Sequence, residues 1–187
     1  MKKYYIMNTN LKKGFTLVEL LIVIAILAIL AVAVVLVLNP AQLLKQGRDA
    51  TRVSDMAAIN NAIALYLTDV ASPSLGAAGC YQTFLTATTT APFTTPTCSY
   101  VASTDVAGTG WVKVNFGSVS AGSPISKLPV DPANTTSYMY VYGTDGNLNY
   151  KLATVLESTK YAPQMLTDGG GNTSSADWYE VGNKMTQ

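Results

Sequence analysis

The sequence contains no histidine. That absence removes the commonest general base and the commonest transition-metal ligand, and with them every Ser-His-Asp or Cys-His catalytic set. No HExxH, CxxC or phosphate-loop motif occurs. Charge is scarce as well: 12% of residues are Asp, Glu, Lys or Arg, and the formal net charge is +1. Charge therefore gives no support to a nucleic-acid-binding surface. Only two cysteines occur, Cys80 and Cys98, flanking a segment rich in Thr and Pro. With a membrane-length segment before them, the pair reads as one disulfide of an exported domain, the alternative being two free thiols in a cytosolic one. These absences argue against an enzyme and leave no cofactor and no metal site to assign.

What is present is concentrated at the amino terminus. Lys2, Lys3, Lys12 and Lys13 lie in the first 13 positions with no acidic residue among them. A cut after Gly14 would leave 8 basic and 11 acidic residues, a net of −3. From Leu20 to Leu38 all 19 residues are Leu, Ile, Val or Ala, and the run extends to 24 from Phe15 if Thr16 and Glu19 are tolerated. At about 1.5 Å per residue, a helix of that length crosses a hydrocarbon core of about 30 Å. The preceding lysines hold the amino terminus in the cytoplasm and send the carboxyl side across. A secretory signal is a poor fit, because its apolar region runs about 7–15 residues, although a small-x-small site exists at Ala31-Val32-Ala33. A plain single-pass anchor fits the length but leaves Glu19, the one charge in the run, without a role.

The string KKGFTLVELLIVIAILAIL, Lys12 to Leu30, resembles the class III signal of type IV pilins and pseudopilins. The resemblance implies that a prepilin peptidase cuts between Gly14 and Phe15 and that Phe15 is then N-methylated. It also implies that Glu19 is the family's glutamate, the fifth residue of the mature chain. The physics is compatible. A carboxylate near the middle of a spanning helix costs about 2.5–3.5 kcal/mol on insertion scales, and a cationic partner offsets that cost. The new amine at Phe15 of a neighbouring chain is such a partner, and pairing it with Glu19 would fix axial register in a helical stack.

Asn39-Pro40 ends the run, and proline predicts a kink at Pro40. Gly47 is a second weak point. Beyond it, Val53, Met56, Ile59, Ile63 and Tyr66 recur at helical spacing. The spacing predicts a helix over 41–68 with one apolar face on a head, and Arg48, Asp49, Arg52, Asp55, Asn60 and Asn61 on much of the remainder. Asp49 and Arg52 are an i, i+3 pair of the kind worth a few tenths of a kcal/mol at a surface. Ser72-Pro73 and the SPSLGAAG that follows read as a loop. Strands are expected at Trp111–Phe116, Tyr138–Tyr142 and Leu148–Glu157, the last two joined by a turn at Asp145-Gly146. Together they make a small antiparallel sheet of three or four strands. Asp131 and Asp145 read as turn residues. The Gly-rich tail lacks the ending of a phosphate loop. Asp168, Asn172 and Asp177 fit no standard calcium loop and read as plain surface.

The expected fold is α+β and pilin-like: a long amino-terminal helix packed on a small antiparallel sheet. The expected segments are a cleaved leader (1–14), a transmembrane and filament-core helix (15–38), its amphipathic continuation (39–71) and a β-rich head (72–187). The expected function is a structural subunit of a type IV pilus-like filament. Its partners are other copies of itself, the prepilin peptidase and N-methyltransferase, the pilus or secretion assembly machinery, and the lipid bilayer before assembly. The precursor is expected in the cytoplasmic membrane with its head outside, and the product in a surface pilus or periplasmic pseudopilus. A pseudopilin of a secretion or DNA-uptake machine uses the same amino-terminal chemistry. A membrane-anchored binding protein that never polymerises predicts instead a retained leader and indifference to Glu19.

Overall fold

The computed structural model describes residues 14–85, 97–168 and 178–183. Contacts divide the chain into two units, Met1–Pro40 and Ala41–Gln187. The first contains α1 (Leu17–Leu38), which beyond Glu19 in its first turn is apolar all round. Leu, Ile, Val and Ala alone propagate it, and it stops where Asn39 adopts a left-handed φ of 40°. Asn is among the few residues that take this conformation at modest cost. Pro40 then opens α2 (Pro40–Asp69), at the first helical position, where its missing N–H costs nothing. Gly47 does not interrupt α2.

The second unit folds around one mixed sheet. Its strands are β1 (Gly79–Gln82), β2 (Ser99–Tyr100), β3 (Val141–Thr144), β4 (Tyr150–Thr154) and β5 (Tyr179–Gly182), in the spatial order β2-β1-β3-β4-β5. Every neighbouring pair is antiparallel except β1–β2, which is parallel. The β3–β4 hairpin turns at Asp145, whose carboxylate accepts the backbone N–H groups of Asn147 and Asn149 at 2.8 and 3.3 Å, with Gly146 at a φ of +78°. Strand alternation places Tyr142, Tyr150 and Leu152 in one core with Met56, Ile59, Ile63 and Tyr66 of α2. Cys80, Val141 and Ala153 belong to a second cluster with Cys98, Met139 and Trp178.

Trp111–Phe116 is not a strand. Trp111, Val112, Val114 and Phe116 are all fully buried in the main core, but their backbone bonds go to a neighbouring loop. Trp111 N–H donates to Ser103 O and Phe116 N–H to Val106 O, and a short 3₁₀ turn follows at Phe116–Ser118. The β-rich composition reports burial here, not pairing. β3 and β4 are also shorter than expected, because Tyr138–Tyr140 and the residues beyond Thr154 leave the ladder.

The larger correction concerns the polar residues of α2. Most of them face the head. Arg52 is fully buried, and its guanidinium donates to four carboxylate oxygens: both of Asp131 at 2.6 and 3.0 Å, one of Asp49 at 2.8 Å and one of Glu157 at 2.8 Å. Asp49, also buried, accepts the N–H groups of Glu157 and Ser158 as well. Arg48 adds a second guanidinium to Glu157. Asp131 is the turn residue expected, accepting from Ala133 and Asn134, but it is also the bidentate partner of Arg52, a pairing its turn position gives no hint of. Further along α2, Asp55 accepts from the Tyr140 hydroxyl at 2.7 Å and Asn60 from the Tyr150 hydroxyl at 2.8 Å. The Asp49–Arg52 pair is thus part of a buried network, not a surface contact.

Removing the arginine from such a network leaves buried carboxylates uncompensated. Arg52→Met should cost about 3–5 kcal/mol at neutral pH, read as a shift in the urea midpoint of the full chain in detergent micelles. An unchanged midpoint would contradict the network's role. The bond from Arg48, with help from Arg52, holds the Glu157 carboxyl down at about 2. A depressed acid stabilises the fold above its unfolded value, and the contribution is lost as pH falls through the folded one. Stability should therefore decline from the ordinary carboxylate range, about pH 4.3, toward about 2. Glu157→Gln should flatten that limb.

Candidate functional site

The amino-terminal site is built on the first turn of α1. Thr16 is its N-cap, with an extended backbone at φ −79° and ψ 150°. Its hydroxyl oxygen accepts the Glu19 N–H at 3.2 Å, and Glu19 Oε2 accepts the Thr16 N–H at 2.9 Å and the Thr16 hydroxyl at 2.7 Å. This is a complete capping box, which satisfies orphan donors at the helix start. A carboxylate at this position also faces the positive end of the helix dipole. Glu19 is therefore stabilised within its own chain before any second molecule arrives. The Thr-x-x-Glu pattern ahead of an apolar run is the sequence signal for this cap, and Thr16 stabilises Glu19 without a cationic partner.

Both bonds from Thr16 end on Oε2, and among the described residues Oε1 has no donor, which leaves its lone pairs for a further one. Phe15 is 84% exposed. At Gly14 an added Cβ would meet nothing within 4 Å among the described residues. The described fold thus makes no demand for glycine there. Leu17–Val35 is long and apolar enough to cross a membrane, and none of it is buried.

The other expected positions lie elsewhere. Pro40 is the first residue of α2, next to the left-handed Asn39. Cys80 and Cys98 form a disulfide. Cys80 lies in β1 and Cys98 immediately precedes β2, so the bridge ties together the one parallel pair of the sheet. The Thr-rich stretch between them is described only at its ends. Asp168 accepts the Glu180 N–H of β5 at 2.7 Å, while Asn172 and Asp177 lie outside the described residues. Among the described residues no group of three or more potential metal ligands occurs. A cross-link over this loop length is worth about 3 kcal/mol. Reduction should lower the stability of the full chain by about that amount in a urea titration, and no difference between oxidised and reduced protein would show that β1 and β2 hold without it.

Compared with family models, residues 9–35 match the prokaryotic N-terminal methylation motif. No curated protein and no solved structure matches the chain. The motif is the class III signal of type IV pilins and pseudopilins, and it implies processing by a prepilin peptidase and assembly into pili. It points to a structural subunit, and with the apolar α1 it suits a membrane-anchored precursor. A prokaryotic N-terminal methylation motif at residues 9–35 thus stands ahead of an α+β, pilin-like arrangement of helices and sheet.

Proposed function

We propose that this chain is a structural subunit of a type IV pilus-like filament, matured by cleavage between Gly14 and Phe15 and N-methylation of Phe15, and assembled through α1. The observation that carries the reading is Glu19. It is the only charge between Phe15 and Leu38, it sits in the first turn of a helix exposed along its described length, and one of its oxygens accepts no bond from the described residues. Gly14 supports the same reading. The fold does not require glycine at that position, which fits selection by another molecule, the peptidase.

The chemistry runs in two stages. In the bilayer, Thr16 and the helix dipole lower the cost of the Glu19 carboxylate, and lipid covers the apolar side chains. In the filament, the Phe15 amine of a neighbouring subunit donates to Oε1 while Thr16 retains Oε2. Lipid and neighbouring helices are similarly apolar, so hydrophobic burial changes little between the stages. Packing and the charge pair then decide specificity. The outward face of α2 favours close neighbours too. Leu43, Leu44, Gly47, Ala50, Ala57 and Ala58 are exposed there and none is charged, and small residues let helices approach.

Glu19→Gln separates the two roles of the side chain. Glutamine serves in a capping box as well as glutamate does, so membrane insertion and helix content should stay at the parent level. The charge pair is lost, and a charge-assisted contact is worth about 1.5–3 kcal/mol. Filament yield, counted by electron microscopy of sheared material, should fall by about ten-fold or more. Normal filaments would count against the proposal.

A further inference from the structure

The side chains that hold α2 on the head change in kind at Met56. Beyond that point the buried residues of the helix are Met56, Ile59, Ala62, Ile63 and Tyr66, all members of the main apolar core. Before it, only Asp49 and Arg52 are buried. No hydrophobic residue from Pro40 to Asp55 is among those forming the apolar core or packed against it, and Asp55 meets the core through the Tyr140 hydroxyl. The polar partners of this part are Asp131, in the turn before β3, the Glu157–Thr159 segment after β4, and the Tyr140 hydroxyl. The Arg52 guanidinium also lies 4.8 Å from the centre of the Tyr138 ring. The charged and titratable groups facing one another are thus Arg48, Asp49, Arg52 and Asp55 from α2, and Asp131, Glu157, Tyr138 and Tyr140 from the head.

From this partition we infer that α2 is held by two separable attachments, and that its first four turns are an ionic clamp that releases from the head while the apolar half stays docked. Several features favour release in that order. Polar contacts are short-ranged and directional, so loss of one partner forfeits the whole contact, whereas a packed apolar face yields only as the core opens. Glu157 concentrates the dependence, since one carboxylate serves both Arg48 and Arg52. The released stretch is about four turns long and contains Gly47. A helix of that length is marginal in water on its own, so release should be followed by fraying. Two backbone N–H groups, those of Glu157 and Ser158, also lose their acceptor when Asp49 leaves, so the loop after β4 should loosen along with the helix. The inference concerns the head alone and stands whether or not the chain polymerises.

Amide hydrogen exchange on the full-length protein in detergent micelles at neutral pH tests it. In Glu157→Gln, peptides covering residues 43–54 should lose protection by about ten-fold or more relative to the parent, those covering 57–68 should stay within about two-fold, and those covering 157–161 should follow the first group. Equal loss across both halves of α2 would show a single cooperative attachment and overturn the inference. So would unchanged protection in 43–54. Should Glu157→Gln not fold, Arg48→Gln at the half-exposed rim keeps Arg52 and its partners. It must show the same order at smaller size, and uniform loss or no loss in that variant overturns the inference equally.

Discussion

Arg52 has no access to water, and its guanidinium is satisfied by carboxylate oxygens from three separate parts of the chain. Removing a charge from water costs several kcal/mol, and only well-aligned partners recover it. The head is arranged to supply them. The turn at Asp131 presents both of its oxygens, and Glu157 after β4 offers one oxygen to Arg52 and both to Arg48. Asp49 joins the group from one turn earlier on the same helix and also caps the backbone of Glu157 and Ser158. Turn, helix and strand exit are therefore fixed against one another at one point. The apolar core begins one turn later, at Met56.

The same constraint acts at the other end of the chain, where Glu19 is the lone charge of an apolar helix. There the solution is local. A threonine three residues earlier supplies two donors to one carboxylate oxygen, and the start of the helix supplies a favourable dipole. The two cases differ in what is left over. All four strong oxygen acceptors of Arg52 are committed inside the head, which makes that network a structural device. Glu19 retains an oxygen and lies on an exposed surface, which suits a contact with another molecule. The Arg52 network is turned inward and Glu19 is poised outward, and the proposed assembly uses the second.

Much of this arrangement was legible in the sequence. Nineteen aliphatic residues in succession mark a helix long enough to span a membrane, the Gly14, Phe15 and Glu19 pattern is specific, and Asp145-Gly146 between β-rich stretches marks the β3–β4 hairpin. What escaped the reading has definite physical causes. Trp111–Phe116 alternates like a strand because its apolar side chains are buried, yet its backbone pairs with a loop, and the alternation reports only the burial. The polar positions of α2 looked like a solvent face because helical periodicity counts apolar residues and cannot tell where a paired charge points. Arg52 and Asp131 lie 79 residues apart, so no local pattern connects them. β1 and β2 are too short to carry a period, and no local pattern reports their parallel pairing beside the Cys80–Cys98 bridge.

The central claim is that the chain enters a filament pathway through cleavage at Gly14 and the chemistry of the new terminus. The amino-terminal mass of the protein recovered from membranes of its own host addresses that claim most directly. The account predicts a chain that begins at Phe15 and carries one added methyl group. A chain that begins at Met1 would contradict it and favour a simple anchor. A chain that begins just beyond Ala33 would contradict it as well, leaving a secreted head without α1.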